Sequence, residues 1–128
     1  MQGKKSKTIS YSFGKVEIYP NYLVMVINEG ETVKPKYNDK LVELSKSEFK
    51  NRPFGYITHR KNSYGVDPKI YIETSRIENL MAFAVVTNEQ LNISNTEIEK
   101  LFLKKPFQVF DDIENAVDWV ESEVTGKG

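Results

Sequence analysis

One histidine occurs in these 128 residues, His59, and it lies in the stretch Ile57-Thr58-His59-Arg60-Lys61-Asn62-Ser63-Tyr64. Any imidazole-based dyad, triad or proton shuttle must therefore use it. Glu29 is the carboxylate that could orient it from a neighbouring loop. Arg60 and Lys61 beside it disfavour the imidazolium, and Ser63 lacks a nucleophile elbow because no G-x-S-x-G occurs. No catalytic residue is assigned, and the balance is against an enzyme. Glu29 and Glu31, on either side of Gly30, read as a solvated turn, and Asp111, Asp112 and Glu114 as helix-capping groups.

Metal and cofactor chemistry find still less. Without cysteine, and with one His, only an oxygen-rich Ca²⁺ or Mg²⁺ site is conceivable, and the D-x-[DN]-x-[DN]-G loop is absent. Neither a Walker A sequence nor G-x-G-x-x-G occurs. A phosphate could meet the helix start at Asp67, but that carboxylate repels an anion. No metal and no cofactor is expected.

Composition narrows the class. The length suits one domain, and 39% hydrophobic with 12% aromatic residues supports a packed core. Lys plus Arg and Asp plus Glu are 18 each, so no global field favours nucleic acid or an anionic membrane. The longest aliphatic runs, Leu23–Ile27 and Met81–Val86, are too short to span a bilayer. The basic start MQGKKSK precedes an alternating stretch, unlike a secretory signal. The lack of cysteine excludes disulfides and fits a reducing compartment. The expectation is a soluble, cytoplasmic domain.

The elements that must position the loop follow from periodicity. Ile9, Tyr11 and Phe13 alternate, Gly14 shifts the parity, and Val16 and Ile18 resume it, which predicts two strands about a tight turn or bulge. Leu23–Ile27 predicts a buried strand. Val33, Tyr37, Leu41 and Leu44 predict a helix ending near Phe49, with Pro35 in its first turn. Phe54–Thr58 predicts a strand, and Asp67-Pro68 caps a short helix through about Glu73. Met81–Thr87 predicts another strand. Ser94 and Glu97 form a capping box for a helix ending near Leu103, with Ile93 and Ile98 as its staple. Phe107–Phe110 is the last strand. Asp111 and Glu114 then cap a helix whose apolar face is Ile113, Ala116, Val117, Val120 and Val124.

This order predicts a single α/β domain: a mixed, mostly parallel sheet of 4–5 strands with an N-terminal antiparallel hairpin, and four helices. The folded domain spans 8–124, between a flexible basic tail (1–7) and a flexible end (125–128). Ligands of such sheets bind outside the carboxyl ends of the parallel strands. The loops gathered there contain Asn28, Glu29, Thr58, His59, Arg60, Asn62, Ser63, Tyr64 and Asn88, which form the candidate partner-binding set. His59, Arg60, Asn62 and Ser63 are expected to be exposed.

Arg52-Pro53-Phe54-Gly55-Tyr56-Ile57-Thr58-His59 resembles the base-stacking strand of the RNA recognition motif. On that reading Phe54 and Tyr56 would share a face and stack bases. Pro53 replaces a glycine, His59 replaces the final aromatic, and a helix precedes the strand. Nucleic acid is therefore not expected, and the other reading places both rings in the core.

The closing pattern Pro106-Phe107-x-Val109-Phe110, followed by Ala116, Trp119 and Val120, resembles small stand-alone proteins related to the STAS domain (sulfate transporters and anti-sigma-factor antagonists). The order of elements agrees over roughly 8–124. The resemblance implies a β–α superhelix and a regulatory, protein-binding role. Antagonists of that family are phosphorylated on a serine near the start of the helix after the central strand, and Ser63 is the nearest equivalent. The family's Asp-Ser-Ser-Gly type of motif is absent, replaced by Asn62-Ser63-Tyr64-Gly65. Trp119 lies off the main apolar stripe, where it closes the flank of the core or meets a partner.

The leading expectation is a non-catalytic regulatory or protein-interaction module that uses the carboxyl-edge loops, with a protein partner and room for a homodimer. The alternative is a small ligand-binding protein or minor enzyme that takes an anionic or lipid-like molecule between the Glu29, Arg60 and Asn88 loops. RNA binding through Phe54 and Tyr56 comes last. A buried apolar pocket beneath the loops would favour the ligand; a filled sheet edge would favour the interaction module.

Overall fold

A computed structural model of the chain describes residues 7–28, 32–33, 35–60, 65–66, 70–87 and 96–126. The strands are β1 (Lys7–Tyr11), β2 (Gly14–Ile18), β3 (Tyr22–Ile27), β4 (Thr32–Val33), β5 (Phe54–His59), β6 (Gly65–Val66), β7 (Leu80–Val86) and β8 (Phe107–Phe110). The helices are α1 (Pro35–Ser47), α2 (Ile70–Thr74), a turn of helix α3 (96–99) and α4 (Ile113–Thr125).

Six strands form one sheet in the order β1-β2-β3-β5-β7-β8. β1, β2 and β3 pair antiparallel, and β3-β5, β5-β7 and β7-β8 pair parallel. The mixed, mostly parallel sheet is as expected, and the N-terminal hairpin completes it at six strands. β4 and β6 form a small parallel ladder of their own, Thr32 opposite Gly65 and Val33 opposite Val66. β5 lies between two parallel neighbours, as helical crossovers require.

Gly14 opens β2 directly after the two-residue turn Ser12-Phe13, as the parity shift implied. A Cβ there would collide with the Val26 carbonyl oxygen, so the close pass of β3 demands glycine.

One face of the sheet lies under α1 and α2. Phe13, Leu23, Met25, Ile27 and Phe54 pack there with Tyr37, Leu41 and Leu44 of α1, while Ile70 and Tyr71 of α2 cover Phe83 and Val85. Helix α1 ends at Ser47, before Phe49, because Lys50 and Asn51 adopt left-handed backbone at φ 50° and 65°. The Asn79 side chain ties that turn by donating to the Ser45 and Arg52 carbonyls at 3.2 and 2.9 Å. Phe49, thrown inward, stacks on Phe54 at 4.5 Å between ring centroids.

The other face is covered by α4, whose Ala116, Val117 and Val120 pack on Tyr22, Val24, Ile57, Ala82, Ala84 and Val86. A Cβ on Gly55 would overlap Val120, so α4 rests directly on the backbone of β5. Trp119 closes the flank against Phe110, with ring centroids 5.8 Å apart.

Two expectations need correction. The N-cap of α4 is Asp112, one residue beyond Asp111: its carboxylate accepts from the Asn115 N–H at 2.8 Å and from the Asn115 side-chain amide at 2.8 Å. Ile98 points outward, 53% exposed, because α3 turns Thr96, Glu99 and Leu103 inward instead. The reading that places Phe54 and Tyr56 in the core agrees with the structure: Phe54 has no exposed surface, and Tyr56 stacks on Phe83 at 4.7 Å. Ser94 lies outside the described residues.

Candidate functional site

Because β3, β5, β7 and β8 run parallel, their carboxyl ends share one edge, at Asn28, Arg60, Thr87 and Asp111. The ladder runs to its rim: the Arg60 N–H donates to the Val86 carbonyl and the Thr87 N–H to the Phe110 carbonyl, both at 2.9 Å. Asn28 is exposed but anchored, its N–H on the Phe13 carbonyl at 2.8 Å and its side-chain amide on the Ser12 carbonyl at 3.0 Å. The β4–β6 ladder clips the loop after β3 to the loop after β5, so these two do not end as independent segments.

Strand alternation divides the basic stretch. β5 extends through His59, so Thr58 and Arg60 turn to the α1/α2 face and His59 to the α4 face. His59 is half-buried, and Thr58 is buried. Arg60, expected at the surface, is 3% exposed. Glu29, Lys61, Asn62, Ser63, Tyr64 and Asn88 lie outside the described residues.

Arg60 belongs to a buried polar cluster. Its Nη1 donates to Glu99 Oε2 at 2.9 Å and its Nη2 to Glu99 Oε1 at 2.5 Å, a two-pronged ion pair. Nη2 also donates to the Tyr71 hydroxyl at 3.2 Å, and that hydroxyl donates to Glu99 Oε1 at 2.5 Å. Burial above all pushes the Tyr71 phenol well above its ordinary pKa; Arg60 pulls it down, while the charge of Glu99 and the hydrogen bond to it raise it. Tyr71 is therefore a fixed donor. Among the described residues, Thr58, Thr74, Thr87 and Thr96 are the other buried polar side chains in this part of the fold.

The Arg60 Nη groups, the Tyr71 hydroxyl and the Glu99 carboxylate are thus committed to one another. A guanidinium spread over both carboxylate oxygens has its charge compensated, which stabilises a desolvated pair that would be costly with either partner alone. It holds α2, α3 and the end of β5 in one arrangement.

Sequence reasoning missed Glu99 and Tyr71. Their separations from Arg60 are 39 and 11 residues, beyond any local motif. A signal was present in the spacing 96, 99, 103, whose members are all buried, but the apolar Ile98 outweighed it.

Elsewhere, a cleft of about 350 Å³ opens between α1, α2 and the amino-terminal ends of β5 and β7, lined by Asp39, Lys46, Asn51, Glu73, Arg76 and Asn79. Its charges are mixed, and Asn79 is committed to the turn after α1. Among the described residues no cluster of His, Asp or Glu is arranged to hold a metal, and no helix is long and apolar enough to cross a membrane.

No protein-family model matches this sequence, and no curated protein does. A solved structure does resemble it: the crystal structure of an uncharacterized protein of the DUF3478 family, with a SpoIIAA-like fold, from Shewanella loihica PV-4. The superposition covers 94% of this chain and 95% of that one, with a TM-score of 0.58 and 15% identity. The fold is SpoIIAA-like. That is the STAS-like fold, which the closing strand and helix had suggested. Within the SpoIIAA-like fold, the carboxyl edge of β5 is the edge that the buried Arg60–Glu99 pair supports.

Proposed function

We propose that this chain is a non-catalytic regulatory or protein-interaction module whose protein partner docks on the carboxyl-edge loops. Asn28, Glu29, His59, Asn62, Ser63, Tyr64 and Asn88 form the contact set, and Thr58 and Arg60 support it from beneath. The observation that carries this reading is the filled base: the Arg60 Nη groups, the Tyr71 hydroxyl and the Glu99 carboxylate bond one another under the edge. A filled, cross-linked base suits a surface that meets another surface. It suits an anionic ligand poorly, because the guanidinium that would bind the anion is held by Glu99. The clip between β4 and β6 adds preorganisation, which reduces the ordering cost of docking.

The test is affinity capture from the native host with the wild-type chain beside a variant carrying His59→Ala, Lys61→Ser and Asn62→Ala, with Arg60 kept. The expected result is loss of a specific partner with the melting temperature unchanged. Retained capture at equal loading would remove these loops from the docking surface. Adding Ser63→Asp asks whether a negative charge at that hydroxyl releases the partner.

A further inference from the structure

The nine residues Lys104-Lys105-Pro106-Phe107-Gln108-Val109-Phe110-Asp111-Asp112 have a charge pattern that inverts about Gln108. They contain β8, the last strand of the sheet, and among the described residues nothing pairs with its outer side. From this edge we infer a homodimer in which β8 pairs antiparallel with β8 of a second copy, centred on Gln108. This surface meets the carboxyl edge only at Asp111, which is outside the proposed contact set, so it stands or falls independently of those loops.

The backbone sets which registers are possible. The Phe83 N–H donates to the Pro106 carbonyl and the Thr87 N–H to the Phe110 carbonyl, both at 2.9 Å. Peptide groups alternate sides along a strand, so residues 106, 108 and 110 are turned to β7, and Phe107 and Val109 offer their N–H and C=O to the free edge. Antiparallel pairing needs outward residues opposite one another. Centring on Gln108 places Phe107 opposite Val109 of the second copy, and the reverse by symmetry, so both pairs exchange hydrogen bonds. Pro106, whose missing N–H would spoil an outer ladder, faces inward and costs nothing there.

Charge then selects among the registers that satisfy this rule. Centring on Gln108 puts Lys105 opposite Asp111 and Lys104 opposite Asp112, each twice. A slip of the pairing centre by one residue in either direction keeps the backbone alternation but separates these charges. Asp112 already caps α4, so Lys105 and Asp111 carry most of the selection. Among the described residues neither is in an ion pair. Asp111 is exposed, as is Gln108, and Phe107 and Val109 are each half-buried with surface left to cover.

The two edges of the sheet differ in this respect. The β1 edge opens on Lys7, a charge of the kind that deters edge-to-edge pairing, which is paired with Glu48 at 2.7 Å. The four residues of β8 include no charge, no proline and no glycine to deter pairing. An interface of one short strand falls below the roughly 1,200 Å² of a tight complex, so the dimer is concentration-dependent.

Sedimentation velocity on the purified full chain, from about 10 μM to about 1 mM at low and high salt, tests this over the range expected of a small interface. The wild type is expected to shift from monomer to dimer. Lys105→Glu alone and Asp111→Lys alone are each expected to weaken dimerisation by at least about tenfold, since each turns two attractions into two repulsions. The double variant restores it. Val109→Pro removes an N–H that only the second copy uses, and abolishes the dimer irrespective of charge. A wild type that stays monomeric throughout overturns the inference. So does a dimer indifferent to Val109→Pro, or one that the charge swap fails to rescue. Circular dichroism confirms that each variant is folded before its mass is measured.

Discussion

Arg60 shows how far a side chain's role can depart from its local sequence. Between His59 and Lys61 it reads as one of a row of exposed donors, but its guanidinium is 2% exposed and held by an equally buried carboxylate. Removing one partner of such a pair strands a charge away from water. Arg60→Ser is therefore expected to destabilise by about 3–5 kcal/mol, far more than the ±0.5 kcal/mol of an exposed position. Glu99→Leu should cost a similar amount. Arg60→Met combined with Glu99→Leu should recover much of the loss, because packed apolar groups replace a desolvated pair at little penalty. Urea unfolding of the three variants gives the comparison; an Arg60→Ser midpoint equal to wild type would place the arginine at the surface after all.

At the scale of elements, α4 is positioned by what the strand beneath it lacks. Gly55 lets Val120 sit on the backbone of β5, and a methyl group there would push the helix off Ile57 and Ala84. Gly55→Ala is expected to cost about 1–3 kcal/mol by overpacking, seen as a lower melting temperature. The same helix starts at Asp112. Asp112→Ala should cost about 1 kcal/mol by orphaning the Asn115 N–H, while Asp111→Ala should leave the isolated domain nearly unchanged. Both aspartates fit a capping position by type, and only the extended backbone of Asp112, at φ −140° and ψ 157°, decided between them. A similar competition misplaced Ile98. At α3 the buried ion pair sets the rotation, and the Ile98 side chain is left outside.

For the whole molecule, pH dependence follows from its tyrosines. Tyr11, Tyr22 and Tyr71 all have phenols held above their ordinary pKa, chiefly by burial. The folded chain thus keeps these protons to a higher pH than the unfolded chain does. Above the ordinary value of 10.0 the unfolded state binds fewer protons, so stability must fall as pH rises, and below that value the tyrosines impose no slope. Denaturant melts from about pH 8 to about pH 11 should show the decline beginning near the ordinary tyrosine pKa. Tyr71→Phe should lower stability at neutral pH by about 1–2 kcal/mol through its lost hydrogen bonds and make the alkaline decline shallower. An unchanged alkaline slope in that variant would mean that the phenol titrates normally.

The sequence by itself determined the order of elements, the mixed sheet with its hairpin, the inward faces of α1 and α4, and the edge at which the parallel strands end. These follow from periodicity, turn residues and the handedness of crossovers, all of which act over a few residues or a single connection. The charge inversion about Gln108 was also present in the sequence, but only the sheet order made β8 an edge strand. Tertiary structure alone decided which residues of the His59–Tyr64 stretch face the interior, because β5 ran two residues past the apolar segment and kept alternating. It alone joined Arg60 to Glu99 and Tyr71. A charge is buried only where a distant chain segment brings its counter-charge within hydrogen-bonding distance, and no local pattern records that separation.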